Sequence, residues 1–390
     1  MKEGDDPTYS YGSYFGYTTN DMMSALIIGN LYRDPYIKGR WLKEFALGGY
    51  SADPLWSVLF NDPTVPAKEP DDLPLTLFNS YPLTAMTART NWQGGLDAPT
   101  VVANMTMKEI NFGDHMHRDA GSFQVYYKGS LALDAGNYQG QAGGYGAPHD
   151  MNYNKRSVAH NVITVLDPGE VETRSGSTVN DGGQRWAGAN SALCNTFEEI
   201  VDPSVIMTEE LAHGAGPNPA TPEYSFLKGD LTKSYTDKVT GHDRNFVFLD
   251  LNDEDYPAAI IVFDKVDAKN KDFKKSWLLH SIEEPQVSGN TTTIARTEYG
   301  FNGKLVNQTL LPEASNLTIE KIGGEGKESW VAGENFPNPN YDGKNATEQG
   351  NWRIEASPKK ASESDLFLNA MYVTDNDRNL PQLPMDKLDL

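Results

Sequence analysis

The chain has 390 residues, a formal net charge of −21 and a single cysteine, Cys194. That length allows two or three cores, and the acidity argues against nucleic acid and an anionic membrane as partners, because both need a basic face to replace condensed counterions. One cysteine excludes an internal disulfide and a cysteine-rich zinc module, and no apolar run reaches the roughly 20 residues that cross a bilayer.

The opening Met1-Lys2-Glu3-Gly4-Asp5-Asp6 lacks the apolar core of a secretory signal, so the chain is either cytoplasmic or without its native beginning. The first eighty or so residues read as helical. Asn20 is placed to cap a helix carrying Met23, Leu26, Ile27 and Leu31, and Gly48-Gly49 to end a second that holds Trp41, Leu42 and Phe45. Asp53-Pro54 reads as a cap and a first-turn proline opening a short helix through Leu55, Trp56, Leu59 and Phe60. Three short helices rarely stand alone, so they read as the end of a larger helical domain, with Asn61 to Leu73 as its exit linker.

From Ala85 onward short β-prone runs alternate with glycine, asparagine and aspartate turns. Phe123, Val125 and Tyr127 alternate with Gln124 and Tyr126; later runs are Val162 to Leu166, Phe246 to Leu251, Ala259 to Phe263, Ser276 to Leu279, Leu305 to Leu311 and Trp352 to Ala356. Large antiparallel sheets in a β-sandwich fit this spacing. The expected division is residues 1–84 (helices and linker), 85–300 (central antiparallel sandwich with a metal site) and 301–390 (C-terminal β-sheet domain).

The chemistry concentrates between Phe112 and Glu170, where four of the seven histidines fall. In an extended strand His115 and His117 share a face. With His117, Asp134 and His160 make a three-ligand zinc set that leaves one position open. A cupin His-x-His would expect a glutamate a few residues on, where this chain has Arg118-Asp119-Ala120-Gly121-Ser122. Tyr145, inside Gly143-Gly144-Tyr145-Gly146, can reach a cleft as an acid or base, and Tyr138 is the weaker tyrosine. Arg156, four residues before His160, is a candidate partner for a substrate carboxylate or sulfate. Taken singly, each histidine, tyrosine or cation is more often structural than functional. No nucleophile elbow, phosphate-binding loop or dinucleotide fingerprint is present.

The stretch Gly113-Asp114-His115-Met116-His117-Arg118-Asp119-Ala120-Gly121-Ser122-Phe123, with Tyr127-Lys128-Gly129, Leu133-Asp134-Ala135-Gly136, Asn152 to Asn161 and Asp167-Pro168-Gly169-Glu170, resembles the heparinase II/III-like polysaccharide lyases, most closely the heparinase II branch. Fainter echoes are Gly4-Asp5-Asp6, Ala88 to Trp92 and Trp352 to Pro358.

The resemblance implies a mainly β fold with an α-helical N-terminal remnant: the last helices of an α/α toroid, then antiparallel β-sandwich domains. It implies β-elimination on uronic-acid glycosaminoglycans such as heparin or heparan sulfate. One structural zinc would be held by His117, Asp134 and His160, with His115 and Tyr145 facing the substrate and Arg156 and Tyr138 binding it. The family's principal catalytic tyrosine and carboxylate-gripping asparagine or histidine lie in the toroid, ahead of this chain, so the expectation is the C-terminal portion of a lyase, inactive if the missing helices are indispensable. The implied setting is the bacterial periplasm or secretion, with an anionic polysaccharide as partner, room for a homodimer, and neither nucleic acid nor membrane. The alternatives are a non-catalytic carbohydrate-binding β-sandwich with a structural zinc, a lyase for chondroitin, hyaluronan or alginate, and a zinc enzyme using metal-bound water.

Overall fold

The computed structural model describes residues 19–46, 54–110, 116–136, 144–171, 177, 179–186, 196–200, 202–203, 205–338 and 349–385. Near the start lie the helices Thr19–Leu31, Pro35–Ala46 and Pro54–Phe60. Asn20 sits inside the first helix rather than capping it, while Pro54 does open the third. Among the described residues, Leu26 and Trp41 are the buried hydrophobics of this region's own cluster, and Leu55, Val58 and Leu59 are exposed. Among the described residues no helix is long and apolar enough to cross a membrane.

The rest is mainly antiparallel β, as the turn spacing predicts. One sheet has five strands in chain order: Thr76–Asn79, Ala85–Arg89, Val102–Thr106, Phe123–Tyr126 and Ser130–Ala132. An eight-stranded sheet runs spatially from Gln286–Ser288 through Thr291–Ala295, Gly303–Leu311, Ser364–Asp375, Ala258–Ala268, Val239–Asp250 and Tyr224–Asp230 to Glu209–Gly216. A four-stranded sheet orders Leu317–Gly323, Trp352–Pro358, Lys274–Ser281 and Ile163–Leu166.

Alternation explains how they stack. In Ala258–Ala268 every second residue, including Ile260, Val262 and Val266, is buried, which turns one face of the eight-stranded sheet inward. Phe123 of the five-stranded sheet meets Phe246 of the eight-stranded sheet at 5.6 Å and Trp277 of the four-stranded sheet at 6.0 Å. All three belong to one buried cluster.

This pairing corrects the boundary expected at residue 300. Gly303–Leu311 lies between Thr291–Ala295 and Ser364–Asp375 in one sheet, and Lys274–Ser281 bonds to Trp352–Pro358 in another. Residues on both sides of 300 therefore share hydrogen-bond ladders and a core. The boundary at 84 also shifts, because Thr76–Asn79 pairs with Ala85–Arg89.

Candidate metal centre

The five-stranded sheet ends in two segments that turn inward together. After Thr106 the chain reaches Asp119, where a tight turn closes with Ser122 N donating to Asp119 O at 2.8 Å. Gly121 adopts φ +76°, and a Cβ there would fall 2.6 Å from Leu231 Cδ1, so both the conformation and the space favour glycine. Gln184 pins the turn by bonding both the N–H and the carbonyl of Ala120.

Asp134 follows the strand Ser130–Ala132 and is held by two side chains spaced two apart. Ser122 Oγ donates to Asp134 Oδ1 at 3.0 Å and Gln124 Nε2 to Oδ2 at 2.9 Å. His160 is brought alongside by the backbone bond from Ala135 N to Ala159 O, 2.8 Å. Asn161 fastens the junction, its Nδ2 donating to Phe123 O at 2.8 Å and to Leu133 O at 3.2 Å, and its Oδ1 accepting from His280 N at 2.8 Å.

The result is a cluster with unused ligand atoms, in which Asp119 and His160 are buried and the Asp134 side chain is 32% exposed. One ligand atom each from Asp119, Asp134 and His160 lies within 4.8 Å of the others. His160 is fully buried, and neither ring nitrogen has a hydrogen-bond partner among the described residues, although Nδ1 is 3.1 Å from Asp134 Oδ1. Burial would lower the basicity of His160, but the carboxylates of Asp134 and Asp119 outweigh it and raise the pKa. Desolvation would raise the carboxyl of Asp134, but the charge of His160, with Lys108 and the Ser122 hydroxyl, holds it well below the usual carboxylate range. His117 stands beside them, its ring centre 5.2 Å from that of His160; burial, then the neighbouring imidazole, push its pKa down to about 4. A neutral imidazole is the metal-binding form. Lys108 Nζ pairs with Asp119 Oδ2 at 2.7 Å.

Two of the three expected ligands, Asp134 and His160, are thus brought together with Asp119, which sequence reasoning left out; its spacing two residues after His117 was the available signal. His115 and Tyr138 lie outside the described residues. Tyr145 is exposed, and its ring has Lys155 Nζ 4.7 Å from the centre, with Lys155 paired to Asp150 Oδ2 at 3.0 Å.

Arg156 requires a correction. It is 1% exposed, and its guanidinium bonds Asp181 Oδ1 at 3.0 Å, Met151 O at 3.2 Å, Val179 O at 2.7 Å and Ser177 Oγ. The π-helical turn Asp150–Asn154 and the 3-10 turn Ser157–Ala159 around it send the side chain inward. It is a brace for the loop that carries His160, not a surface cation open to a sulfate.

With this geometry in view, solved structures give the fold a reference. A heparinase III gene product superposes with a TM-score of 0.54 and 14% identity, covering 96% of this chain and 45% of its own. Its lysine-methylated form gives 0.54 and 14%, covering 94% and 43%. The fold is heparinase-like. A further heparinase III structure gives 0.48 and 11%, covering 90% of this chain and 41% of its own. Neither a family model nor a curated protein sequence matches the chain. The chain spans less than half the length of these structures, and the two with a TM-score of 0.54 support a heparinase-like fold rather than the heparinase II branch in particular.

Proposed function

We propose that this chain is the β-sandwich portion of a polysaccharide lyase acting on uronic-acid glycosaminoglycans of the heparan sulfate kind. The observation that carries the reading is that Asp119, Asp134 and His160, from separate stretches of the family-like sequence, fold into one cluster within a heparinase-like β architecture. In such a reaction a base takes the C5 proton of the uronate, the C4–C5 double bond forms, the C4–oxygen bond breaks, and the departing sugar hydroxyl takes a proton. The uronate carboxylate must be neutralised for that proton to become acidic.

His115 and Tyr145 are our candidates for groups facing the sugar, with Tyr138 as a candidate for binding it, and Tyr145 is exposed. His117, Asp134 and His160 would hold zinc, whose fixed charge would organise this wall of the cleft. His160 Nε2, buried with no hydrogen-bond partner among the described residues, fits that role, since a buried polar atom without a partner is costly. The three N-terminal helices would be the last of an α/α toroid, and the setting periplasmic or secreted.

The test is incubation of the full-length protein with heparan sulfate, chondroitin sulfate, hyaluronan and alginate. A lyase produces an unsaturated uronate that absorbs in the ultraviolet. Cleavage without that chromophore would replace the reading with a hydrolase. Retention on immobilised polysaccharide without cleavage would replace it with the carbohydrate-binding alternative.

A further inference from the structure

We propose that Asp119 is itself a ligand of the metal, so that the site is closed by four protein groups, His117, Asp119, Asp134 and His160, and holds no open position. The inference rests on the zinc reading given above and goes past it in saying what fills the fourth place.

Three observations carry it. The first is proximity, since the donor atoms within 4.8 Å of one another belong to Asp119, Asp134 and His160. The second is the state of the Asp119 carboxylate. The residue is 5% exposed, Oδ2 is engaged by Lys108 at 2.7 Å, and Oδ1 has no hydrogen-bond partner among the described residues. A buried carboxylate oxygen left bare is expensive, and beside His160 Nε2, which has no hydrogen-bond partner among the described residues, it offers a second ligand atom to a cation. The third is charge. Asp119 and Asp134 bring two negative charges and Lys108 one positive, so a divalent ion would offset the negative charge that remains.

The local backbone agrees. Asp119 opens the turn that Gly121 and Gln184 lock, and Ser122 of the same turn bonds Asp134. One rigid unit therefore sets both carboxylates. Two imidazoles and two carboxylates are a donor set suited to zinc, and four protein ligands are the mark of a structural site. The metal would then shape the wall and activate no water, which separates this protein from the zinc hydrolase alternative.

Zinc affinity by chelator competition and the visible spectrum of the cobalt(II)-substituted protein test this. The variants are Asp119→Asn and, because a stranded Lys108 ammonium could unfold it, the double variant Lys108→Met/Asp119→Asn. Gln124→Ala, which touches only the outer side of Asp134, is the yardstick and should weaken zinc about 10–100-fold. We expect one zinc in the wild type with an intense four-coordinate cobalt spectrum. Both Asp119 variants should lose more affinity than Gln124→Ala and show a weaker cobalt band as water enters. Zinc held within about tenfold of wild type in both, with the cobalt spectrum unchanged, overturns the Asp119 assignment and leaves the zinc reading standing. A wild type that takes up no zinc overturns both.

Discussion

Two ionic clusters in this fold are joined through Arg244, and they differ in how completely their atoms are used. In the eight-stranded sheet, Asp264 accepts from His242 Nε2 at 2.9 Å and from Arg244 Nε and Nη2 at 2.7 and 3.1 Å. Arg244 Nη1 then crosses to Gly121 O at 2.7 Å and Asn161 O at 2.8 Å, and only His242 Nδ1 lacks a partner among the described residues. In the second cluster both ring nitrogens of His160 and one oxygen of Asp119 lack one. A buried polar group that serves only the fold is normally satisfied by it. The first cluster is finished as it stands, whereas the second is complete only with something added. Arg244 joins them, because the carbonyls it grips belong to the turn of Asp119 and to the residue after His160.

The comparison is broken most forcefully at the finished cluster. Arg244→Met leaves Asp264 in the core with only the His242 imidazole and should cost about 3–5 kcal/mol in denaturant unfolding, with or without zinc. Pairing it with Asp264→Leu should recover part of this, though not all, since the carbonyls of Gly121 and Asn161 lose a donor. A loss below about 1 kcal/mol for Arg244→Met would show that the triad is not the brace described.

Arg156→Gln should behave in the same way, since it strips the closest cation from buried Asp181. The expected cost is about 3 kcal/mol, with KM for any polysaccharide unmoved in protein that remains folded. A raised KM at unchanged stability would restore Arg156 as a substrate contact.

The unfinished cluster responds to metal instead. Zinc at a hundred times its dissociation constant should stabilise the wild type by about 2.7 kcal/mol. A chelator should remove that gain, and His160→Ala should show no gain to remove. An equal response of His160→Ala to zinc would place the ion elsewhere.

Much of the architecture was legible because alternation is local. The run Ala259 to Phe263 sits inside the strand Ala258–Ala268, and Leu305 to Leu311 inside Gly303–Leu311. Sheet membership was not, since the turn at Glu298–Gly300 separates two neighbouring strands of one sheet and only long-range register shows it. In the site, Asp134 and His160 were readable as residue types that bind metal. Asp119 was not singled out, because its neighbourhood with Asp134, His160 and Lys108 is made by tertiary contacts. Arg156 was misread because closeness to His160 in sequence says nothing of which way a π-helical turn aims a side chain.

The smallest effect separates the clusters by acid. Burial would push the carboxyl of Asp264 up, but the charge of Arg244 and the bond and charge of His242 outweigh it and hold it below the usual range. A carboxyl with a lowered folded pKa adds stability that is complete above its unfolded value, about 3.9. That contribution is lost as pH falls from there through the folded value. One proton taken up on unfolding bounds the slope at about 1.4 kcal/mol per pH unit. Asp264→Asn has no such contribution to lose, so below about pH 4 its stability should fall less steeply than that of the wild type, even though it starts lower. The comparison belongs in chelator, where the metal cluster is empty in both proteins and its own protonation is common to the two curves. Parallel curves would mean that Asp264 titrates normally and that the finished cluster owes its stability to packing rather than charge.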